Sequence, residues 1–231
     1  MKSIQRKHWE AALFAAALCV SAAVLVVYTL RGTGGFALPS LVVALLFLIP
    51  FFVHFERNRP PAGLLVCISV MGAIAALSRV LFVAFASVKP TTAIVLVTGI
   101  AFGPGAGFLT GALAALASNV YFVQGPWTPW QMLAWGLCGL AGGLLRGRKF
   151  LKNPWWLSVT GALLSLAFGA IMNLSYVIPY VHPLTFPAVM TAMGAGLAFD
   201  GVHAISTFVF LLLFGRLWLK KLLRVQEKLA E

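Results

Sequence analysis

SVKPTTAIVLVTGIAFGPGAGFLTGALAALASNVYFVQGPWTPWQMLAWGLCGLAGGLL, running from Ser87 to Leu145, holds three apolar segments cut by two turn signals. The segments are 91–103, 104–123 and 131–145. The cuts are FGPG (Phe102–Gly105) and QGPWTPWQ (Gln124–Gln131), both built on the Gly and Pro that punctuate helices. The first segment would be only about 20 Å long as a helix, against a hydrocarbon core of about 30 Å. A short, Gly-rich, Pro-flanked segment is tolerated at membrane depth where protein or a cavity surrounds it, not where lipid does. Gly103, Gly107 and Gly111 recur four apart, and Gly136–Gly143 is similarly dense. Such spacing lets helix backbones approach closely in lipid. The stretch predicts a compact helical unit inside a membrane bundle.

The rest of the chain agrees. It has 231 residues, 61% hydrophobic and 10% charged, with a mean hydropathy of +0.97. A soluble domain carries about 45–50% apolar and about 25% charged residues. The apolar runs are continuous, whereas the strands of a membrane barrel alternate over about ten positions. The expected fold class is therefore an all-α membrane protein. Eight segments emerge: 9–30, 36–55, 64–87, 91–103, 104–123, 131–145, 155–178 and 197–219. The first is long, no A-x-A site follows it, and a second run comes soon after, so it does not read as a cleavable signal. Cys19, Cys67 and Cys138 lie within apolar runs without a C-x-x-C pattern and read as small packing residues.

The net charge of +12 is explained by its distribution rather than by nucleic acid. With the N-terminus in the cytoplasm, fourteen of the seventeen Lys and Arg residues fall on the cytoplasmic side. Arg31 and Lys89 fall outside, and Arg79 falls within a span. This positive-inside bias predicts an even number of spans with both termini cytoplasmic. The tail GRLWLKKLLRVQEK (Gly215–Lys228) is basic and amphipathic, and reads as an anchor at the inner leaflet or a docking surface for a partner. FERNRPPAG (Phe55–Gly63) is the clearest boundary. It separates residues 1–63, a two-helix transmembrane hairpin with its basic loop, from residues 64–231, a six-helix domain with a basic tail.

Polar residues inside a membrane are costly and mark sites. Here they concentrate in the outer halves of the spans: Arg79, Asn119, Asn173, Tyr176, Asp200 and His203. Lys89, Thr91, Thr92, Gln124 and Gln131 sit at the outer rim. A proton relay or an ion channel would need polar groups at several depths, whereas a pocket open to the outside needs them only there. Arg79 and Asp200 read either as an ion pair or as two walls of a cavity. Asn119 and Asn173 read as interhelical hydrogen-bond glue or as ligand contacts. Tyr121, Trp127, Trp130 and Trp135 read as an aromatic belt or as a pocket rim. Pro126 and Pro129 restrict the backbone around the tryptophans. The rim reading is preferred for Gln124, Trp127, Trp130 and Gln131.

Asp200 and His203, at i and i+3, share a helix face. No third His, Cys or carboxylate is near in sequence, so neither a metal nor a cofactor is expected. There is no nucleophile elbow, no H-E-x-x-H and no P-loop, and only five acidic residues. Any ATP-driven step must come from another chain. An intramembrane enzyme using Asp200 and His203 stands as the alternative, and a purely structural membrane protein as another.

The run Ser87–Leu145, together with FDGVHA (Phe199–Ala204), resembles the substrate-binding S components of energy-coupling factor (ECF) vitamin transporters. The resemblance extends from about Leu64 to Arg224. It implies a non-catalytic, six-helix substrate-capture protein in the cell membrane of a bacterium or archaeon. It further implies a vitamin-like substrate, a transmembrane coupling protein and two cytosolic ATPases as partners. The N-terminal hairpin is additional to that pattern. By the resemblance, small residues on the first core helix dock on the coupling protein, here Gly72 and Ala76, with Gly in place of the usual first Ala. The outer loops Val88–Pro90, Gln124–Trp130 and Ile178–Gly196 would cover the substrate, the last being long enough for a lid. Its substrate-binding candidates are Arg79, Lys89, Thr92, Asn119, Tyr121, Gln124, Trp127, Trp130, Gln131, Asn173, Tyr176, Asp200 and His203. The subgroup resembles those linked to cobalamin or related corrinoids, with riboflavin or a queuosine-type base as alternatives.

Overall fold

Gly103 ends one helix and Pro104 begins the next, so FGPG makes the tight turn its sequence requires. Gly103 sits at φ 100°, a conformation that a Cβ would strain, and Pro104 occupies the first helical turn, where its missing N–H costs nothing. The computed structural model describes residues 37–58 and 60–229, together with Ala16, Val20, Ala23, Val24 and Val27. Among the described residues all regular structure is helical: α1 (Ala37–Asn58), α2 (Ala62–Leu81), α3 (Thr91–Phe102), α4 (Pro104–Phe122), α5 (Thr128–Leu144), α6 (Pro154–Tyr180), α7 (Phe186–Phe210) and α8 (Arg216–Lys228). A 3₁₀ turn, Lys149–Lys152, precedes α6, and a π turn, Leu211–Gly215, joins α7 to α8.

Among the described residues, four helical rods are long and apolar enough to cross a membrane: α2, α4, α6 and the continuous run Phe186–Lys228. The first expected span, 9–30, falls mostly outside the described residues. α3 has 12 residues and every one is buried. At 1.5 Å per residue it is about 18 Å long, and it runs through the centre of the bundle, where the sequence argument put a segment too short for lipid.

Glycine sets how close α3, α4 and α5 lie. A Cβ on Gly107 or on Gly139 would overlap the other's backbone, and one on Gly99 would overlap Gly139 and Gly143. Gly111 meets the backbone of Trp135 and Gly136 in the same way. α4 and α5 form the most extensive helix pair in the fold. In lipid, where apolar burial drives little association, this backbone contact supplies dispersion that larger side chains would forfeit. α1 packs on the other side of α5: Val43 lies against Trp130, and Leu48 against Phe108 and Leu133.

Two boundaries differ from the sequence reading. α2 ends at Leu81 rather than at residue 87, so residues 82–90 form the connection to α3. The expected lid, Ile178–Gly196, is mostly helix: α6 continues to Tyr180 and α7 starts at Phe186, leaving 181–185 between them. The prolines misled. Pro187 lies in the first turn of α7, behind a Thr185 cap that accepts from the Ala188 N–H. Gly196 serves packing rather than a turn, since a Cβ there would fall 2.6 Å from Asn173 Nδ2. α8 continues α7 and lays Trp218, Leu219 and Leu222 on the cores around α2 and α3. The tail is thus part of the bundle along one flank.

Candidate functional site

The last turn of α2, the 82–90 connection, the start of α5, the middle of α6 and the middle of α7 converge at the end of the bundle away from the basic Arg146–Lys152 loop. They enclose a cavity of ≈ 110 Å³ lined by Arg79, Ser87, Lys89, Gln131, Trp135, Phe168, Phe199, Asp200 and His203. Two cations, one carboxylate, one imidazole and three aromatic rings face one small space.

Arg79 is 5% exposed. Its Nη1 donates to Ser118 Oγ and to Asn119 Oδ1, the latter at 2.9 Å. Its guanidinium carbon sits over the Phe122 ring at 4.6 Å and over Trp135 at 4.8 Å. Planar stacking with fork-like donors is what a guanidinium does and an ammonium cannot. Nε, also buried, has no partner. Asn119 Nδ2 in turn donates to Thr128 Oγ1 at 2.9 Å and Gln131 Oε1 at 2.8 Å. The asparagine is therefore a strut that ties Arg79 of α2 to two residues of α5.

The opposite wall is built separately. Asp200 Oδ2 accepts from Asn173 Nδ2 at 2.8 Å. Gly169 makes room for that carboxylate, since a Cβ there would lie 2.7 Å from Asp200 Oδ2 and nearer to its other atoms. His203 shares a 3.0 Å hydrogen bond with Thr92 Oγ1, which also accepts from Trp135 Nε1 at 3.1 Å. Phe168 stacks on Trp135 at 4.5 Å and meets His203 edge-on at 5.2 Å. Lys89 is fixed by its backbone N–H, which reaches Ser206 Oγ at 3.4 Å. Burial, and secondarily the charge of Arg79, hold its ammonium below the usual lysine range. An excess of positive charge that is costly to maintain makes the cavity receptive to an anionic or carbonyl-rich group.

The structure thus brings Arg79, Lys89, Gln131, Asp200 and His203 together around the cavity, with Thr92, Asn119 and Asn173 bracing them from behind. It does not bring the remaining candidates there. Tyr121 and Tyr176 are exposed and pair with Phe122 and Tyr180. Gln124 ties the loop together, donating to Leu116 O at 2.9 Å and accepting from Thr128 Oγ1 at 3.0 Å. Trp127 folds over Gly125, and Trp130 is buried beside Val43 with its Nε1 unpartnered. The loop closes on itself because its own amide and hydroxyl groups satisfy one another, so its tryptophans turn from the cavity. Gly72 and Ala76, expected at a docking face, are both buried. Gly72 sits under Leu113 and the Thr110 carbonyl of α4, so the pair is occupied within the chain.

Phe168, Phe199 and Ser87 line the cavity without having been singled out, and Trp135, read as belt or rim, lines it without having been named a ligand contact. Trp135 follows Gln131 by one helical turn and Phe199 precedes Asp200, which were usable signals. Phe168 is an apolar residue in an apolar helix and carried none. Asp200 and His203 share the cavity but each bonds to a different neighbour. Among the described residues no group of three or more His, Cys, Asp or Glu side chains comes together.

A family model described as ECF transporter, substrate-specific component matches residues 64–215. Comparisons with curated proteins and with solved structures return no match.

Proposed function

Because that model spans most of the chain, the protein belongs to the substrate-specific components of ECF transporters, and from this premise we propose that the Arg79–Asp200 cavity is where it captures its micronutrient. Such components are multi-pass membrane proteins that bind small molecules and work with a membrane coupling protein and ATPases. The carrying observation is Arg79: a buried guanidinium that lines the cavity, held through Nη1 on Ser118 and Asn119 and set over Trp135, whose buried Nε donor has no partner. An unsatisfied buried donor costs on the order of 1–3 kcal/mol, a cost that would be offset if Arg79 shifts to present Nε to a ligand acceptor. The charge asymmetry supports an outside-facing mouth, since the cavity lies at the end away from the basic Arg146–Lys152 loop.

The cavity also bears on the ligand. At ≈ 110 Å³ it is well below the ~300–1,000 Å³ of pockets for drug-sized ligands. A corrinoid would require it to open widely. A small ring with an acceptor toward Arg79 and Lys89 and a donor toward Asp200 suits the polar walls, whereas Trp135 is already covered by Phe168 and Arg79. Riboflavin or a queuosine-type base would require less opening of the cavity than cobalamin. Residues 64–231 form the capture unit in this reading, with 1–63 an appended hairpin, and the family match beginning at Leu64 supports that division. The exposed flank of α2, with Val66, Val70 and Leu77, is left for the coupling protein.

Mass spectrometry of small molecules retained by the detergent-purified chain tests the capture reading. A retained heterocycle that disappears in Arg79→Ala, with the fold intact, is expected. Retention unchanged in that variant overturns the assignment of the cavity. Uptake should also stop when the partner ATPases are inactivated, and ATP-independent accumulation would sink the transport reading.

A further inference from the structure

At the opposite, basic end, the 3₁₀ turn and α8 leave a groove of ≈ 630 Å³ lined by Leu151, Lys152, Arg216, Leu217, Leu219, Lys220 and Leu223. Three cations and four leucines share it, and among the described residues no acidic one lines it. Among the described residues none of the three cations is in an ion pair or a hydrogen bond with a side chain. Like charges so placed repel one another unless a counter-charge sits among them.

We propose that this groove binds one anionic glycerophospholipid, with its phosphate among Lys152, Arg216 and Lys220 and an acyl chain along Leu217 and Leu223. Charge complementarity calls for an anion, and the leucines decide which kind. Leu217 is 52% exposed and continues an exposed apolar strip, Leu212, Leu213 and Phe214, on the same helical rod. A soluble phosphate would leave that strip untouched, whereas an acyl chain covers it. The neighbouring Phe150, Trp155 and Trp156 are exposed as well, and aromatic residues of this kind mark headgroup level. Basic pockets at the cytoplasmic ends of membrane helices hold anionic headgroups by the same combination. α8 can present this flank because Trp218, Leu219 and Leu222 fix its other side to the bundle. Arg216 and Lys220, at i and i+4 of α8, stand one turn apart and line the groove with Lys152.

The test is native mass spectrometry of the delipidated full chain with phosphatidylglycerol or phosphatidylcholine of identical acyl chains. The expected result is a single phosphatidylglycerol adduct favoured about 10-fold or more. The preference should vanish in K152Q/R216Q/K220Q but persist in K221Q/R224Q/K228Q, which removes equal charge from positions of α8 that do not line the groove. All mutated side chains are exposed, and single R216Q reports the same trend if the triple variant misfolds. Equal binding of the two lipids overturns the proposal, as does equal loss in both triple variants. Displacement by millimolar inorganic phosphate would show a simple anion site instead. Should the three cations matter only for recovery with the coupling protein, the groove is a protein interface and the lipid assignment fails.

Discussion

Arg79 and Asp200 face the same cavity and make no ion pair with each other. Each charge is held by an asparagine on a neighbouring helix, Arg79 by Asn119 and Asp200 by Asn173. A buried ion pair would cancel both charges and leave a structural cross-brace. Amide struts fix the positions while leaving the charges uncompensated, which is what a binding site for a polar molecule needs.

Arg79→Lys should therefore weaken ligand binding by about 10–100-fold, because one ammonium cannot reproduce the stacked fork and the free Nε–H together. Isothermal titration of purified protein with the retained ligand measures it. Thermal unfolding should change less than in Asn119→Leu, which strands a buried guanidinium. The reverse order would mark Arg79 as structural.

Asp200→Asn should preserve the packing against Gly169 while removing the only carboxylate among the described residues that line the cavity. A loss of about 10-fold or more in affinity is expected, with the melting temperature within a few degrees of the parent. Unchanged affinity would show that the ligand offers no donor to this wall.

Binding should depend on pH through Lys89. Its ammonium is held below the ordinary 10.5, first by burial and then by Arg79. An anionic ligand group favours the charged form, so binding takes up a proton and affinity falls as pH rises through the lowered value, before 10.5 is reached. Fold stability runs the other way. The unfolded chain holds this proton more tightly, so rising pH relieves the burial cost up to the ordinary value. Titrations from about pH 7 to about pH 10 in buffers of differing ionisation heat should show proton uptake, which Lys89→Gln abolishes.

Gly139→Ala should prevent close packing of α5 on α4. The added Cβ would sit 2.8 Å from Gly107 Cα and nearer to its carbonyl, and backbone has nowhere to move. A cost of at least about 1–3 kcal/mol is expected, seen as loss of a monodisperse peak in size-exclusion chromatography. Gly201→Ala, where a Cβ meets nothing within 4 Å, serves as the control.

Trp130→Ala and Gln131→Ala separate packing from binding at adjacent positions. Trp130 is buried against Val43 outside the cavity, so its loss should cost about 3 kcal/mol of stability and leave affinity nearly unchanged. Gln131 lines the cavity and accepts from Asn119, so Gln131→Ala should reduce affinity while costing less stability than Trp130→Ala. Equal effects on both properties would contradict the placement of these side chains.

The helical membrane character, the short buried α3, the glycine contacts and the gathering of polar residues at one end were all legible in the sequence. Each follows from a local or one-dimensional quantity: segment length against bilayer thickness, the spacing of small residues, and the depth of a residue along its span. The partners of those polar groups were not legible. Depth along a span says how far a side chain lies from the membrane surface, but the rotation of the helix about its axis decides which way it points. That rotation is set by packing partners far away in sequence. It put Trp127 and Trp130 beside Gly125 and Val43 rather than over the cavity, turned Gly72 and Ala76 inward against α4, and let two prolines that suggested a lid sit inside α6 and in the first turn of α7. Tertiary packing alone decided that Arg79 would be held by the amide of Asn119 rather than paired with Asp200, since several polar residues at the same depth were equally eligible to pair with it.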